Sequence, residues 1–121
     1  RWPLHEVTDG AWHSGGETVL IGDAAHATMP FAAQGAAMAI EDAFELAHFL
    51  ASGTEKPAAL QAFEEHRRKR IARVRSRGAF NRFAYHAAGP LKLGRDIVLS
   101  LRKPQSLAGD FDWLYGYRAL D

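Results

Sequence analysis

The sequence of this 121-residue chain predicts a mainly α-helical structure with one or two short strands, one of which has the character of a strand in an α/β protein. Three observations support this prediction. The apolar run 18–21 ends at Gly22 and has the composition of a strand that is buried on both faces of a parallel sheet. After Gly35 the apolar spacing becomes that of a helix, and a second helical pattern follows over 57–77.

The first predicted elements are a short strand and a helix on either side of this apolar run. Residues 4–8 are predicted as a strand because the turn signal Asp9-Gly10 follows them. A helix is predicted over about 35–51, and Gly53 ends it. The side of this helix that we expect to face the core consists of Ala36, Ile40, Ala43, Ala47 and Leu50.

A second helix is predicted to begin after an N-cap at Thr54, with Pro57 in its first turn. It runs to about Arg77 or on to Tyr85. Its buried stripe is predicted to consist of Leu60, Phe63, Arg67, Ile71 and Val74.

The C-terminal region is predicted to contain one more helix and a packed aromatic segment. Gly89-Pro90 ends the second helix, and the third is predicted over 91–101, closed by Pro104. The aromatic residues of 111–117 are expected to pack against the rest of the chain.

Composition excludes several classes of protein. No apolar run reaches the ~20 residues that a membrane-spanning helix needs, and residues 1–5 lack the pattern of a signal peptide. The absence of cysteine excludes a disulfide framework and thiolate chemistry. A formal net charge of +1 does not require a nucleic acid partner. We therefore expect a cytoplasmic protein with no membrane or nucleic acid partner.

Residues 22–37 combine groups that bind a polar, electron-rich ligand. Asp23 follows a predicted strand, and ligands of open α/β sheets bind at the carboxyl ends of strands. Its carboxylate can accept hydrogen bonds from the hydroxyl groups of a sugar or a ribityl chain. Gly22 permits a sharp turn and a close approach of the ligand.

The segment that leads into the first helix is poor in side chains. Pro30 stiffens it, and Ala32 and Ala33 leave room for a flat ligand. The helix opens with Gly35-Ala36-Ala37, whose N–H groups have no intrahelical partner and carry the positive end of the helix dipole. That end favours a cofactor that becomes anionic on reduction. The alternative is that the glycine-aspartate turn and the alanines serve packing alone.

The pattern of 19–26, followed by Pro30 and 33–43, resembles the second flavin-binding motif of class A flavoprotein monooxygenases. The Ala-Gln-Gly-Ala-Ala version is most similar to the salicylate-hydroxylase-like branch. The resemblance extends over about 2–77 and includes several fixed residues at fixed spacing. It implies the FAD/NAD(P)-binding flavoprotein monooxygenase fold for the parent protein.

The resemblance also implies roles for individual residues. Asp23 would bind the ribityl hydroxyls of FAD, and the backbone of Pro30 would lie beside the isoalloxazine ring. The amides of 35–37 would approach the N1 and O2 edge of the flavin. The implied cofactor-binding residues are Gly22, Asp23, Pro30, Gln34, Gly35, Ala36 and Ala37. No catalytic residue and no metal ligand is expected in this chain.

The implied reaction is the hydroxylation of a small aromatic substrate, such as a salicylate-like compound, with O2 and either NADH or NADPH. The Gly-x-Gly-x-x-Gly unit that holds the ADP half of FAD in this family is absent from the sequence. We therefore expect a C-terminal part of such an enzyme, inactive alone and weak in binding FAD. Its expected organisation is the end of the substrate-domain sheet and a crossover in 1–16, a flavin-binding strand–loop–helix in 17–52, and a helical region in 53–121.

Two further features have simpler interpretations. The basic run 67–70 is flanked by Glu64 and Glu65 at helical spacing, which favours solvated ion pairs over a nucleic acid site. His26, three residues after Asp23, is interpreted as a hydrogen-bonding structural histidine rather than a metal ligand.

Because the apolar helix faces would attract a partner, a homodimer of the chain is expected. The alternative function is a small helical interaction domain without catalytic activity.

Overall fold

The computed structural model describes residues 3–15, 18–30, 33–101, 109 and 112–120, and this part of the chain is mainly helical. The prediction of a mainly α-helical chain is therefore confirmed. The helices, in chain order, are α1 (Asp23–His26), α2 (Gly35–Ala51), α3 (Lys56–His86), α4 (Gly89–Leu101) and α5 (Asp112–Tyr115).

The predicted short strands, 4–8 and 18–21, are not confirmed. Within the described ranges the β pairing consists of one antiparallel bridge between His13 and Val19. The Leu20 N–H donates to the Trp12 carbonyl over 2.7 Å and closes this small turn. A strand needs a continuous ladder with a neighbour, and the described residues give 18–21 no such neighbour.

Helices α2 and α3 form an antiparallel hairpin that contains most of the core. The connection is short, as is typical of antiparallel neighbours, and Gly53 adopts φ +76° just after the end of α2. The N-cap of α3 is Glu55 rather than Thr54, and Pro57 lies in the first turn. Helix α3 ends at His86, one residue past Tyr85. Gly89-Pro90 was predicted to end this helix, but it forms the start of α4.

The two predicted helix faces had opposite outcomes. The predicted stripe of α3 is buried throughout. The predicted stripe of α2 was the wrong face, because its five residues are exposed and Ile40 retains 67% of its surface. Met38, Asp42 and Glu45 are buried instead. The reason is Arg67 on the α3 stripe, since a buried guanidinium needs acceptors and the acidic side of α2 supplies them.

The C-terminal segment packs against the helical hairpin. Leu114 is buried, and the carbonyls of Trp113 and Leu114 accept hydrogen bonds from Arg70 over 3.0 and 3.1 Å. The prediction that the aromatic segment packs is confirmed for Trp113 and is wrong for Tyr115, which retains 67% of its surface. Phe111 and Pro104 lie outside the described residues. No helix in the described ranges is both long and apolar enough to cross a membrane.

Tyr117 also attaches this segment to the hairpin. Its hydroxyl donates to the buried Glu45 carboxylate, and the guanidinium of Arg70 lies 4.0 Å from its ring centroid. Burial, followed by the hydrogen bond and charge of Glu45, raises the pKa of Tyr117 to about 12. The phenol therefore keeps its proton in the folded state at pH values where an ordinary tyrosine has lost it.

We expect Tyr117 to make the protein sensitive to alkali. Its ordinary pKa is 10.0 and its folded pKa is about 12, so its contribution is fully present below pH 10 and is lost as the pH rises towards 12. Urea unfolding of the unmodified protein and of Tyr117→Phe checks this between pH 8 and 11.5. The stability difference between them should shrink above pH 10, and parallel curves over the whole range would contradict the expectation.

Candidate cofactor site

The turn before α1 adopts a conformation that only glycine accepts readily. Gly22 has φ 59° and ψ −142°, and a Cβ at this position would lie 3.1 Å from the Cβ of Ala39. The carbonyl of Gly22 accepts hydrogen bonds from the N–H groups of Ala25 and His26 over 3.0 and 2.9 Å. Gly22 therefore starts α1 and lets the turn lie directly against α2.

The structure brings Asp23 to the first turn of α2, as the sequence predicts. Oδ1 of Asp23 lies 3.9 Å from the position that a Cβ on Gly35 would occupy. Asp23 and residues 35–37 are exposed, and the first turn of α2 contains no acidic residue. An acceptor and several N–H donors that have no partner within α2 therefore lie side by side at the surface, which fits a ligand with hydroxyl groups and an electron-rich edge.

Pro30, Ala33 and Gln34 are the described residues of the segment that leads into α2. Pro30 is exposed, and its carbonyl accepts the N–H of Ala33 over 3.2 Å. Ala33 has φ 52°, a left-handed conformation that costs a non-glycine residue about 1–2 kcal/mol. Gln34 is 6% exposed and is the N-cap of α2. The structure thus places Pro30 and Gln34 in the same short approach to the helix, whereas Ala32 lies outside the described residues.

The turn at Gly22 is hydrogen-bonded to a buried carboxylate, that of Asp42, which was not predicted from the sequence. Asp42 is fully buried, and its Oδ2 accepts the Gly22 N–H over 2.7 Å and lies 2.6 Å from His26 Nε2. Its Oδ1 accepts from Arg67 Nε over 2.7 Å. Burial by itself would raise the pKa of Asp42, but hydrogen bonds from His26 and Gly22 and the nearby positive charges hold the pKa below its ordinary value. Asp42 is therefore ionised at neutral pH.

Arg67 is the positive counterpart of the buried carboxylates. It has no exposed side-chain surface, and its Nη2 lies 2.9 Å from Glu41. Burial by itself would lower the pKa of Arg67, but the charge of Asp42, the hydrogen bond to Glu41 and the charge of Glu45 together raise it above its ordinary value. The expectation of solvated ion pairs is wrong for Arg67 and for Arg70, which is 7% exposed and pairs with Glu41. It holds for Arg68, which is 40% exposed and pairs with Glu64.

The structural interpretation of His26 is confirmed. His26 is 3% exposed, and its ring packs 5.3 Å from that of Trp12. It faces Asp42 and not Asp23. The described ranges contain no group of three or more side chains suited to a metal ion.

The sequence does contain a signal for the buried ionic cluster. Glu41 and Glu45 are four residues apart on α2, with Asp42 beside them, and Arg67 and Arg70 are three apart on α3. Both arginines interrupt an apolar stripe, where a charged side chain needs a partner of opposite charge. Matching the two sets would have predicted the correct face of α2.

Comparison with known proteins matches residues 1–77 to a family described as an FAD binding domain. The chain is 36% identical over 122 residues to 3-hydroxybenzoate 6-hydroxylase 1 of Aquipseudomonas alcaligenes, with 100% of this chain and 29% of that protein covered. It is 32% identical over 120 residues to a salicylate hydroxylase of Pseudomonas putida (96% and 27% covered). It is 39% identical over 112 residues to a 3-amino-4-hydroxybenzoate 2-monooxygenase of Streptomyces platensis (91% and 27% covered). The chain therefore spans less than a third of the length of these relatives.

Proposed function

Because this chain belongs to the FAD binding domain family, we propose that it forms the part of an FAD site that holds the ribityl chain and one edge of the flavin ring. The approach of the Asp23 carboxylate to the first turn of α2 supports this proposal most directly. Asp23 would accept hydrogen bonds from the ribityl hydroxyls, and the amides of 35–37 would donate to the ring edge.

The electrostatics of the same region suit a flavin. The positive end of the α2 dipole would stabilise negative charge on the reduced cofactor. FAD, when bound, supplies the redox chemistry between NADH or NADPH and O2, while the chain binds and orients it. The residues proposed to contact FAD are Gly22, Asp23, Pro30, Gln34, Gly35, Ala36 and Ala37.

For the whole protein we propose an NAD(P)H-using monooxygenase that hydroxylates a small aromatic substrate, such as a salicylate-like compound. The names of the relatives, which act on salicylate and on substituted benzoates, support this substrate class. The proposed organisation assigns the end of a substrate-domain sheet and a crossover to 1–16, the flavin-binding unit to 17–52 and the helical region to 53–121. We also propose that the protein is cytoplasmic.

The exposed apolar side of α2 supports a different role, that of an interaction surface. Ile40 and Phe44 retain 67% and 64% of their surface, and exposed apolar patches favour association. The chain by itself is thus proposed to form a homodimer and to bind FAD weakly, since the sequence has no Gly-x-Gly-x-x-Gly unit. A helical interaction domain without catalytic activity is the alternative function.

The change of Asp23 to Ala in the full-length protein separates the two functions. We expect FAD affinity to fall about tenfold or more, because hydrogen bonds between hydroxyls and a charged acceptor are lost. Flavin content after purification and an FAD titration of the apoprotein measure the effect. Asp9→Ala is the matched control, since Asp9 is also exposed but lies outside residues 22–37. Unchanged affinity in Asp23→Ala would refute the FAD site and leave the interaction domain.

A further inference from the structure

One oxygen atom connects the two ends of the segment that contains Asp23. Oδ2 of Asp42 accepts the N–H of Gly22 over 2.7 Å, and it also lies 2.6 Å from Nε2 of His26. Gly22 directly precedes Asp23, and His26 is the last residue of α1. Asp42 and His26 are fully or almost fully buried, so water does not compete for these bonds.

This connection matters because α1 has little stability of its own. The helix has four residues and no side-chain hydrogen bond at its N-cap, and isolated helices of this length do not persist in water. The orientation of Asp23 therefore depends on contacts from outside the segment. The hydrogen bonds to Asp42 provide them at both ends.

The direction of the hydrogen bonds follows from the charges. Asp42 is ionised and faces Arg67 on its other oxygen, so its carboxylate can only accept. His26 must then donate from Nε2. The His26 ring is further fixed by its contact with Trp12 at 5.3 Å.

We propose that His26 and Asp42 are positioning residues of the flavin site, which hold the Gly22–Asp23 turn so that the Asp23 carboxylate meets the ribityl hydroxyls of FAD. This inference rests on the proposed FAD site. Neither residue is assigned to contact the cofactor, and both act through the backbone on either side of Asp23.

The test removes or keeps the donor of His26 in the full-length protein. His26→Leu is apolar and removes the donor, whereas the amide nitrogen of His26→Gln takes the place of Nε2. We expect His26→Leu to weaken FAD binding to the apoprotein about tenfold and to change the visible circular dichroism of the bound flavin. His26→Gln should restore both properties to near those of the unmodified protein. If His26→Leu does not fold, His26→Asn replaces it, because its shorter side chain does not reach Asp42.

Combination with Asp23→Ala shows whether His26 acts through Asp23. In the Asp23→Ala background, His26→Leu should cause no further loss of FAD affinity, since the group that it orients is already gone. Fully additive losses, or a His26→Gln variant as weak as His26→Leu, would overturn the positioning role. An Asp23→Ala variant with unchanged affinity would instead overturn the FAD site itself, so the two failures are distinguishable.

Discussion

Replacing Arg67 with Met is expected to lower the free energy of unfolding by about 3–5 kcal/mol. Arg67 has no exposed side-chain surface, and it lies 2.7 Å from Asp42 and 3.4 Å from Glu45. Both carboxylates are also fully buried. Met fills much of the same volume but has no charge, so two carboxylates would remain in the helix interface without the cation that they face.

Urea unfolding at pH 7 measures this loss. Lys69→Met is the matched control because Lys69 is an exposed cation on the same helix, and it should change stability by no more than about 0.5 kcal/mol. In the unmodified protein the pKa of Asp42 is lowered, so its contribution is present above its ordinary pKa and is lost as the pH falls. In Arg67→Met this pH dependence should become weaker, because the charge of Arg67 is one of the causes that lower the pKa of Asp42, whereas Gly22 and His26 still hydrogen-bond to it. Equal losses in the two variants, or an unchanged pH dependence in Arg67→Met, would contradict the expectation.

The second large effect is expected at Gly22. Gly22→Ala should lower the free energy of unfolding by roughly 2–4 kcal/mol, since the alanine must adopt an unfavourable conformation and also meets the Cβ of Ala39 at 3.1 Å. The accompanying shift of the turn should lower the FAD content of the full-length protein, because the next residue is Asp23.

A double-mutant cycle with Ala39→Gly separates the two causes. Removing the Cβ of Ala39 relieves the contact but not the backbone strain, so the double variant should recover only part of the loss. Gly53→Ala is a useful comparison, because Gly53 also has a positive φ of 76° but an added Cβ there has no neighbour within 4 Å. A Gly22→Ala loss no larger than that of Gly53→Ala would show that the contact with Ala39 contributes nothing.

Local signals in the sequence predicted the helices well. Gly53, Pro57 and the spacing of the α3 stripe act within one or two turns, and the structure follows them to within a few residues. The adjacency of Asp23 and Gly35 was also predictable, since a short loop connects a turn to the start of a helix. The strands were not, because a strand exists only through its neighbours.

The face of α2 was mispredicted for a non-local reason. Its predicted stripe, which includes Ile40 and Leu50, has regular helical spacing, and spacing alone predicts that this side faces the core. The packing is decided by Arg67, which lies on another helix and needs acceptors. The buried position of Asp42 was not predicted for the same reason, since its three hydrogen-bond partners come from distant parts of the sequence.

The antiparallel hairpin of α2 and α3 has a consequence for how the chain tolerates length changes. Two apolar helix surfaces can shift relative to each other by one residue and still pack. The carboxylates of α2 and the guanidinium of Arg67 on α3 pair at only one offset. Each residue inserted into α2 between Gly35 and Asp42 would move the amides of 35–37 about 1.5 Å along the helix axis and rotate them by about 100°. The loop 52–55 lies outside the segment from Gly35 to Asp42, so residues inserted in this loop would not change the spacing between the carboxylate of Asp23 and those amides.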